Sequence, residues 1–171
     1  MNERKVRVGL VGYGFHGQSL HQAAAGIDNL EIVAVLEPNK ELHQKIEGTG
    51  AEPHGDPEGF FRSGDFEAVI VASPAPSHRS IVAQAVSAGL AVELEKPMAL
   101  TYEESREIAD LAESAGIPLM IGMTTHYRPE MVFADQQIKA GVIGEIKTIH
   151  EAMVLGLNPF PMNYVARENG C

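Results

Sequence analysis

The feature that most constrains this chain lies near its start. Val6, Val8, Leu10 and Val11 form a short apolar run of strand type, and it passes directly into Gly12, Gly14 and Gly17 at the spacing G-x-G-x-x-G. The next stretch, about 15–26, reads as a helix. Each glycine has a physical use in a nucleotide site. Gly12 permits a tight strand-to-helix turn. Gly14 lacks the Cβ that would keep a pyrophosphate off the backbone, and Gly17 lets the helix pack close to its strand. The helix start adds free N–H groups and the positive end of the helix dipole, both suited to phosphate.

Glycine-rich turns are common, so the surrounding pattern carries the weight. A second apolar run, Leu30, Ile32, Val33, Val35 and Leu36, ends in Glu37, twenty positions after Gly17. A carboxylate at that distance meets the adenosine ribose: it accepts a hydrogen bond from a 2′-hydroxyl and repels a 2′-phosphate. Pro38, Asn39 and Lys40 follow, with no arginine among them. NAD is therefore the expected cofactor. NADP is the second option, because Lys40 is near enough to swing toward a phosphate.

The rest of the chain alternates in the same manner. Strands are expected at 5–11, 30–36, 68–72, 90–94 and 118–122. Helices are expected at 15–26, 39–47, 57–63 and 77–88, with one more opened by the capping box Thr101-x-x-Glu104. Residues 48–66 are rich in Gly, Pro and Asp and read as loop around the short helix, which would bury Phe60 and Phe61. Ala68–Ala72 is apolar at every position, as a parallel strand covered on both faces should be. Ile108, Leu111, Ala112 and Ala115 supply the buried stripe of the later helix, which Gly116 and Pro118 end. The fold class is α/β, a Rossmann-type parallel sheet with helices on both faces. Residues 1–125 form the dinucleotide-binding domain. Residues 126–171 form a connecting helix and the first strand, 144–157, of an incomplete α+β substrate domain.

Charge and composition narrow the partners. The net charge is −10 over 171 residues, which argues against nucleic acid and anionic membranes. No apolar run is long enough to span a bilayer, and Met1–Lys5 lacks a signal-peptide core. The single cysteine, Cys171, leaves no internal disulfide. A cytoplasmic protein is expected, with a small-molecule substrate and either a homo-oligomer or a completing chain as partner. His150-Glu151 begins like a zinc-protease helix motif, but Val154 stands where the second histidine is required, and no metal site is expected.

The informative residues fall at the carboxyl ends of the strands, where open parallel sheets bind ligands. Glu95-Lys96-Pro97 closes one strand there. A Glu-Lys pair beside a proline is usually a solvated turn, but on this face a lysine ammonium favours an alkoxide at a reacting hydroxyl.

With these elements in place, the sequence resembles the glucose–fructose oxidoreductase/inositol dehydrogenase (Gfo/Idh/MocA) family over residues 5–157. The resemblance rests on Gly12-x-Gly14-x-x-Gly17, Ser73-Pro74 with His78, Glu95-Lys96-Pro97, Tyr127-Arg128-Pro129 and the stretch Ala140–Lys147. It implies a two-domain NAD(P)-dependent oxidoreductase acting on sugars, cyclitols or related hydroxyl and carbonyl compounds. Lys96 would be the catalytic residue beside the nicotinamide. The cofactor would be held by Gly12, Tyr13, Gly14, Phe15, His16, Gly17, Glu37, Ser73, Pro74, His78, Glu95, Lys96 and Pro97. Lys96, His126 and Tyr127 would touch a polyhydroxylated substrate.

There are departures from the family pattern. Ala75 stands where an asparagine often lines the cofactor, and Thr124 and His126 stand where Asn and Arg are frequent. Family members run to about twice this length, as one nucleotide and one substrate domain require. The second domain supplies an Asp and His pair for proton transfer that is not reached by Cys171. The chain is therefore expected to be a fragment that binds NAD and turns over little substrate alone. Two alternatives remain. One is a non-catalytic dinucleotide-binding or sensor module. The other is a methyltransferase using the same loop for an adenosyl sulfonium, in which a lysine ammonium has no role.

Overall fold

The computed structural model describes residues 4–150 and 152. Six strands run in chain order: β1 (Val6–Val11), β2 (Leu30–Leu36), β3 (Glu52–His54), β4 (Ala68–Val71), β5 (Ala91–Leu94) and β6 (Leu119–Ile121). The helices between and after them are α1 (Phe15–Ala24), α2 (His43–Glu47), α3 (Pro57–Ser63), α4 (His78–Ser87), α5 (Tyr102–Ala115) and α6 (Pro129–Lys139). The strands form one sheet in the order β3-β2-β1-β4-β5-β6, and every pair is parallel. This is the doubly wound Rossmann order, and its direction reverses between β1 and β4. Among the described residues no helix is long and apolar enough to cross a membrane.

Alternation along the strands divides the core between the two faces. Val8 and Leu10 of β1 join Tyr13, Ala24, Ile32, Val35 and Ile46 on one side. Val11, Val69, Val71, Val92 and Leu94 join Phe60, Ile81, Val82 and Ile108 on the other. Side chains two apart on a strand share a face, which produces this separation. Phe60 is fully buried, with ring centroids 5.1 Å from Phe61 and 4.9 Å from Phe66. Its place depends on Gly9, where a Cβ would come within 2.6 Å of the Phe60 ring.

Strand β3 lies in the stretch expected to be loop. It is an edge strand of three residues with Pro53 at its centre, paired to β2 from Ala34↔Glu52 to Leu36↔His54. Proline has no N–H for a ladder and is tolerated at an edge, so neither length nor composition signals this strand. The α5 stripe is narrower than expected. Ile108 and Ala112 are buried, whereas Leu111 is 38% exposed and Ala115 is also exposed. Helix α5 packs on one side against α4, so a two-residue seam suffices. Its ends follow the local rules. Thr101 Oγ1 accepts from the Glu104 N–H at 3.1 Å, and Glu104 accepts in return from Leu100 rather than from Thr101 itself. Gly116 adopts φ +65°, with Ile117 N–H donating to the Ala112 carbonyl at 2.9 Å, a Schellman closure.

Beyond β6 a short 3-10 turn, Thr124–Tyr127, leads into α6, which has no buried residue. Residues 144–150, the start of the expected 144–157 strand, form no strand. A strand needs a neighbour to complete its hydrogen bonds, and none is paired to this stretch among the described residues. Positions 151 and 153–157 of that expectation lie outside the described residues.

Candidate active site at the carboxyl ends of the strands

The β1–α1 turn is closed by backbone on two sides and open on one. Gly12 has φ +91°, a conformation that favours glycine, and a Cβ there would lie 2.9 Å from the Ser73 backbone. A Cβ on Gly17 would collide with the Gly12 carbonyl oxygen. At Gly14, the N-cap of α1, a Cβ would meet nothing within 4 Å. The loop therefore needs Gly12 and Gly17 for its own packing, while Gly14 presents bare backbone to open space at a helix N-terminus. This arrangement admits a diphosphate.

Glu37 follows β2 and reaches back to this loop. Its Oε2 accepts from the Tyr13 N–H at 2.8 Å, and its Oε1 accepts from the Asn39 N–H at 2.9 Å. A carboxylate offers about four acceptor positions, so two backbone bonds leave capacity for a diol. The side chain is half-buried and its position is set by both partners.

On the other half of the sheet, Glu95 is 6% exposed. Its Oε1 lies 2.6 Å from His16 Nε2, and its Oε2 accepts from the Lys96 N–H at 3.1 Å. The His16 side chain, expected among the cofactor residues, ties the glycine loop to the turn after β5. Lys96 and Pro97 are exposed, and the peptide between them is cis. Ser73 is half-buried with its Oγ 2.6 Å from Ser77 Oγ, while Pro74 is exposed beside it and Ala75 is buried. Phe15 stands 88% exposed at the head of α1.

Two expected cofactor residues point elsewhere. Tyr13 is 3% exposed. Its ring packs in the core and makes an edge contact with His21, centroids 5.8 Å apart, so only its backbone belongs to the loop. Burial raises the Tyr13 phenol above its ordinary value and lowers the His21 imidazole below its own. His78 is 1% exposed, with its ring nitrogens against the carbonyls of Ser73 (2.8 Å) and Met98 (3.2 Å). It braces the Ser73 turn against the segment after Pro97 and has no face left for a ligand. The other two expected substrate residues lie in the turn after β6. His126 is exposed in the 3-10 turn, and Tyr127 is 70% exposed with its hydroxyl 3.6 Å from Met120 Sδ.

One residue escaped the sequence reading. Glu93 sits inside β5, and burial, reinforced by the charge of Glu95, pushes its carboxyl up to about 7. The available signal was a second glutamate of the same parity as Glu95 within an apolar strand. Two surface clefts, of about 580 and 570 Å³, lie away from the crevice. One opens at the amino ends of β1 and β2 near Lys5, Arg7 and Leu30, and the other lies between α4 and α5. In a parallel sheet the chemistry belongs at the opposite, carboxyl end.

Sheet order, glycine turn and carboxylate together define a Rossmann-type dinucleotide-binding domain. Residues 6–123 match the family GFO_IDH_MocA, described as "Oxidoreductase family, NAD-binding Rossmann fold". The chain belongs to that oxidoreductase family, and this stretch is its NAD-binding domain. It is similar to the rhizopine catabolism protein MocA of Rhizobium meliloti, 33% identical over 142 residues that make up 83% of this chain and 45% of that protein. It is also similar to D-apiose dehydrogenase of Paraburkholderia graminis, 32% identical, with 82% of this chain and 38% of that protein covered. Among solved structures, the WlbA dehydrogenase of Bordetella pertussis in complex with NADH and UDP-GlcNAcA matches with a TM-score of 0.76. That match has 27% identity and covers 82% of this chain and 43% of the other. The chain thus spans less than half the length of these relatives.

Proposed function

We propose that this chain is the nucleotide-binding half of an NAD-dependent oxidoreductase that moves a hydride between nicotinamide and a sugar, cyclitol or related hydroxyl or carbonyl compound. The carrying observation is the turn itself, with Gly12 and Gly17 closed by backbone and Gly14 open at the head of α1. The N–H groups at Gly14, Phe15 and His16 would hold the pyrophosphate, and Ser73 and Pro74 would line the same site. Glu37 takes the ribose hydroxyls and disfavours a 2′-phosphate.

When bound, NAD supplies the hydride acceptor or donor. Lys96, exposed at the end of β5, directs its ammonium charge to the reacting oxygen of the substrate, where it stabilises an alkoxide and holds or releases a proton. Glu95 and Pro97 orient that turn. His126 and Tyr127 belong to the substrate side of the same proposal. The relatives, D-apiose dehydrogenase and a dehydrogenase in complex with UDP-GlcNAcA among them, support a polyhydroxylated substrate. A cytoplasmic setting belongs to the proposal as well.

Calorimetric titration of the chain with NADH, NADPH and an adenosyl sulfonium tests the reading. NADH is expected to bind most tightly. Tighter binding of NADPH removes the role given to Glu37, and preference for the sulfonium removes the oxidoreductase reading altogether.

A further inference from the structure

Two carboxylates, Glu93 within β5 and Glu95 just past its end, meet at one spot, and the mechanism above uses only Glu95. Glu93 and Glu95 are two residues apart, so both project from the same face of the sheet. Gly122, just past β6, donates its N–H to the Leu94 carbonyl at 2.8 Å. A Cβ on Gly122 would lie 2.8 Å from Glu93 Oε1 and 2.9 Å from Glu95 Oε1. Both carboxylates therefore converge over Gly122.

Their partners differ. Glu95 engages His16 through one oxygen and the Lys96 N–H through the other. Glu93 Oε2 is shut off from solvent with no hydrogen-bond partner among the described residues. The flanking strands bring no charge to it, since β4 (Ala68–Val71) and β6 (Leu119–Ile121) carry no titratable side chain. Helix α4 packs on the opposite face, through Val92 and Leu94. Among the described residues, the titratable groups nearest the pair in the fold are His16 of α1, which contacts Glu95, the exposed Lys96 next in the chain, and His126 and Tyr127 of the turn after Gly122, Tyr127 reaching Met120 beside Glu93. Two negative charges at one poorly solvated spot repel strongly enough that one carboxyl keeps its proton.

We propose that the Glu93–Glu95 pair shares one proton, held on Glu93, and that this arrangement lets Glu95 clamp His16 of the glycine-rich loop to the Lys96 turn. Glu93 is a positioning residue that acts through Glu95. Burial and the Glu95 charge bring its carboxyl up to about 7, so it loses its proton near neutrality. The second negative charge then drives the two carboxylates apart, loosens the His16 contact, and weakens the hold of the loop on an anionic ligand. The result is a pH-dependent coupling between the cofactor loop and the catalytic turn. Only its binding readout rests on the dinucleotide reading.

The test uses the full chain labelled at its glutamate side-chain carboxyls. NMR titration is expected to place Glu93 with a midpoint near 7, and Glu95→Gln is expected to lower that midpoint. NADH affinity is expected to fall about three- to tenfold between pH 6 and pH 8.5, as one added charge near the loop implies. Glu93→Gln, which mimics the protonated acid, is expected to flatten that profile. A Glu93 midpoint in the ordinary carboxylate range, or an unchanged slope in Glu93→Gln, overturns the proposal. Should Glu93→Gln not fold, Glu95→Gln decides through the midpoint alone, and no movement overturns the proposal. Failure of NADH to bind at every pH overturns the dinucleotide reading. The Glu93 midpoint and the pH dependence of amide protection over residues 13–17 then decide the clamp by themselves.

Discussion

Two glutamates at the carboxyl end of one sheet have opposite surroundings. Glu37, at the end of β2, receives a backbone N–H on each oxygen, from Tyr13 and from Asn39. Glu93, in β5, has an oxygen buried without a partner among the described residues and a carboxyl pushed up to about 7. The difference lies in the backbone around them. Beside β2 the chain turns twice, at the glycine loop and at Asn39, and each turn frees an N–H. Around Glu93 the neighbouring backbone groups are spent on the ladders to β4 and β6. A carboxylate held by two turn N–H groups is fixed in place and suits recognition of a hydroxyl. A carboxylate inside a ladder keeps a proton.

The sharpest way to break the comparison is to destroy the turn that serves Glu37. In Gly17→Ala the new methyl meets the Gly12 carbonyl, which is backbone and cannot swing aside. We expect a loss of about 3 kcal/mol or more in urea unfolding, and no measurable NADH binding. A fully stable variant would show that the turn is looser than described. Next in size, Glu37→Ala leaves the Tyr13 N–H unpaired and removes the acceptor for the ribose. NADH affinity should drop about 10- to 100-fold, since hydrogen bonds to a charged group contribute about 1.5–3 kcal/mol. NADPH should lose less, so the gap between the two narrows, and calorimetry with both nucleotides reads this directly.

The smallest effect is on the Glu93 side. Its folded-state carboxyl lies above the ordinary value of 4.5, at about 7. The native state therefore binds the proton more tightly than the unfolded chain. That stabilisation is full below about pH 4.5 and is lost as pH rises through about 7. After discounting for the partial exposure of Glu93, the loss is about 1–2 kcal/mol. Glu93→Gln should escape it, unfolding at higher urea than the parent at pH 8 by that margin and converging with it at pH 4. Equal stability of the two chains at pH 8 would place Glu93 in a wetter setting than its buried oxygen indicates.

The same contrast explains what could be read in advance. Gly12, Gly14, Gly17 and Glu37 form a local pattern, with a strand, a turn and the next strand end all within the first 37 residues. Contacts so close in sequence are largely dictated by φ/ψ preferences and strand alternation. Strand β3 was not legible, because Pro53 and three-residue length erase the usual signals. The directions of Tyr13 and His78 were not legible either. Both occupy positions that the motif assigns to the cofactor, yet one ring fills the core and the other braces two turns. The His16–Glu95 contact joins residues 79 positions apart, and no spacing rule reaches that far.

The order of residues alone determined the Rossmann class, the turn that admits a diphosphate, and the carboxylate assigned to the ribose, because each depends on short-range geometry. Tertiary structure decided which polar groups have partners. It brought His16 to Glu95, set Gly122 beneath two carboxylates, and left Glu93 Oε2 without a donor among the described residues. Solvation and charge repulsion are properties of the assembled neighbourhood, and that neighbourhood exists only once β4, β5 and β6 lie side by side.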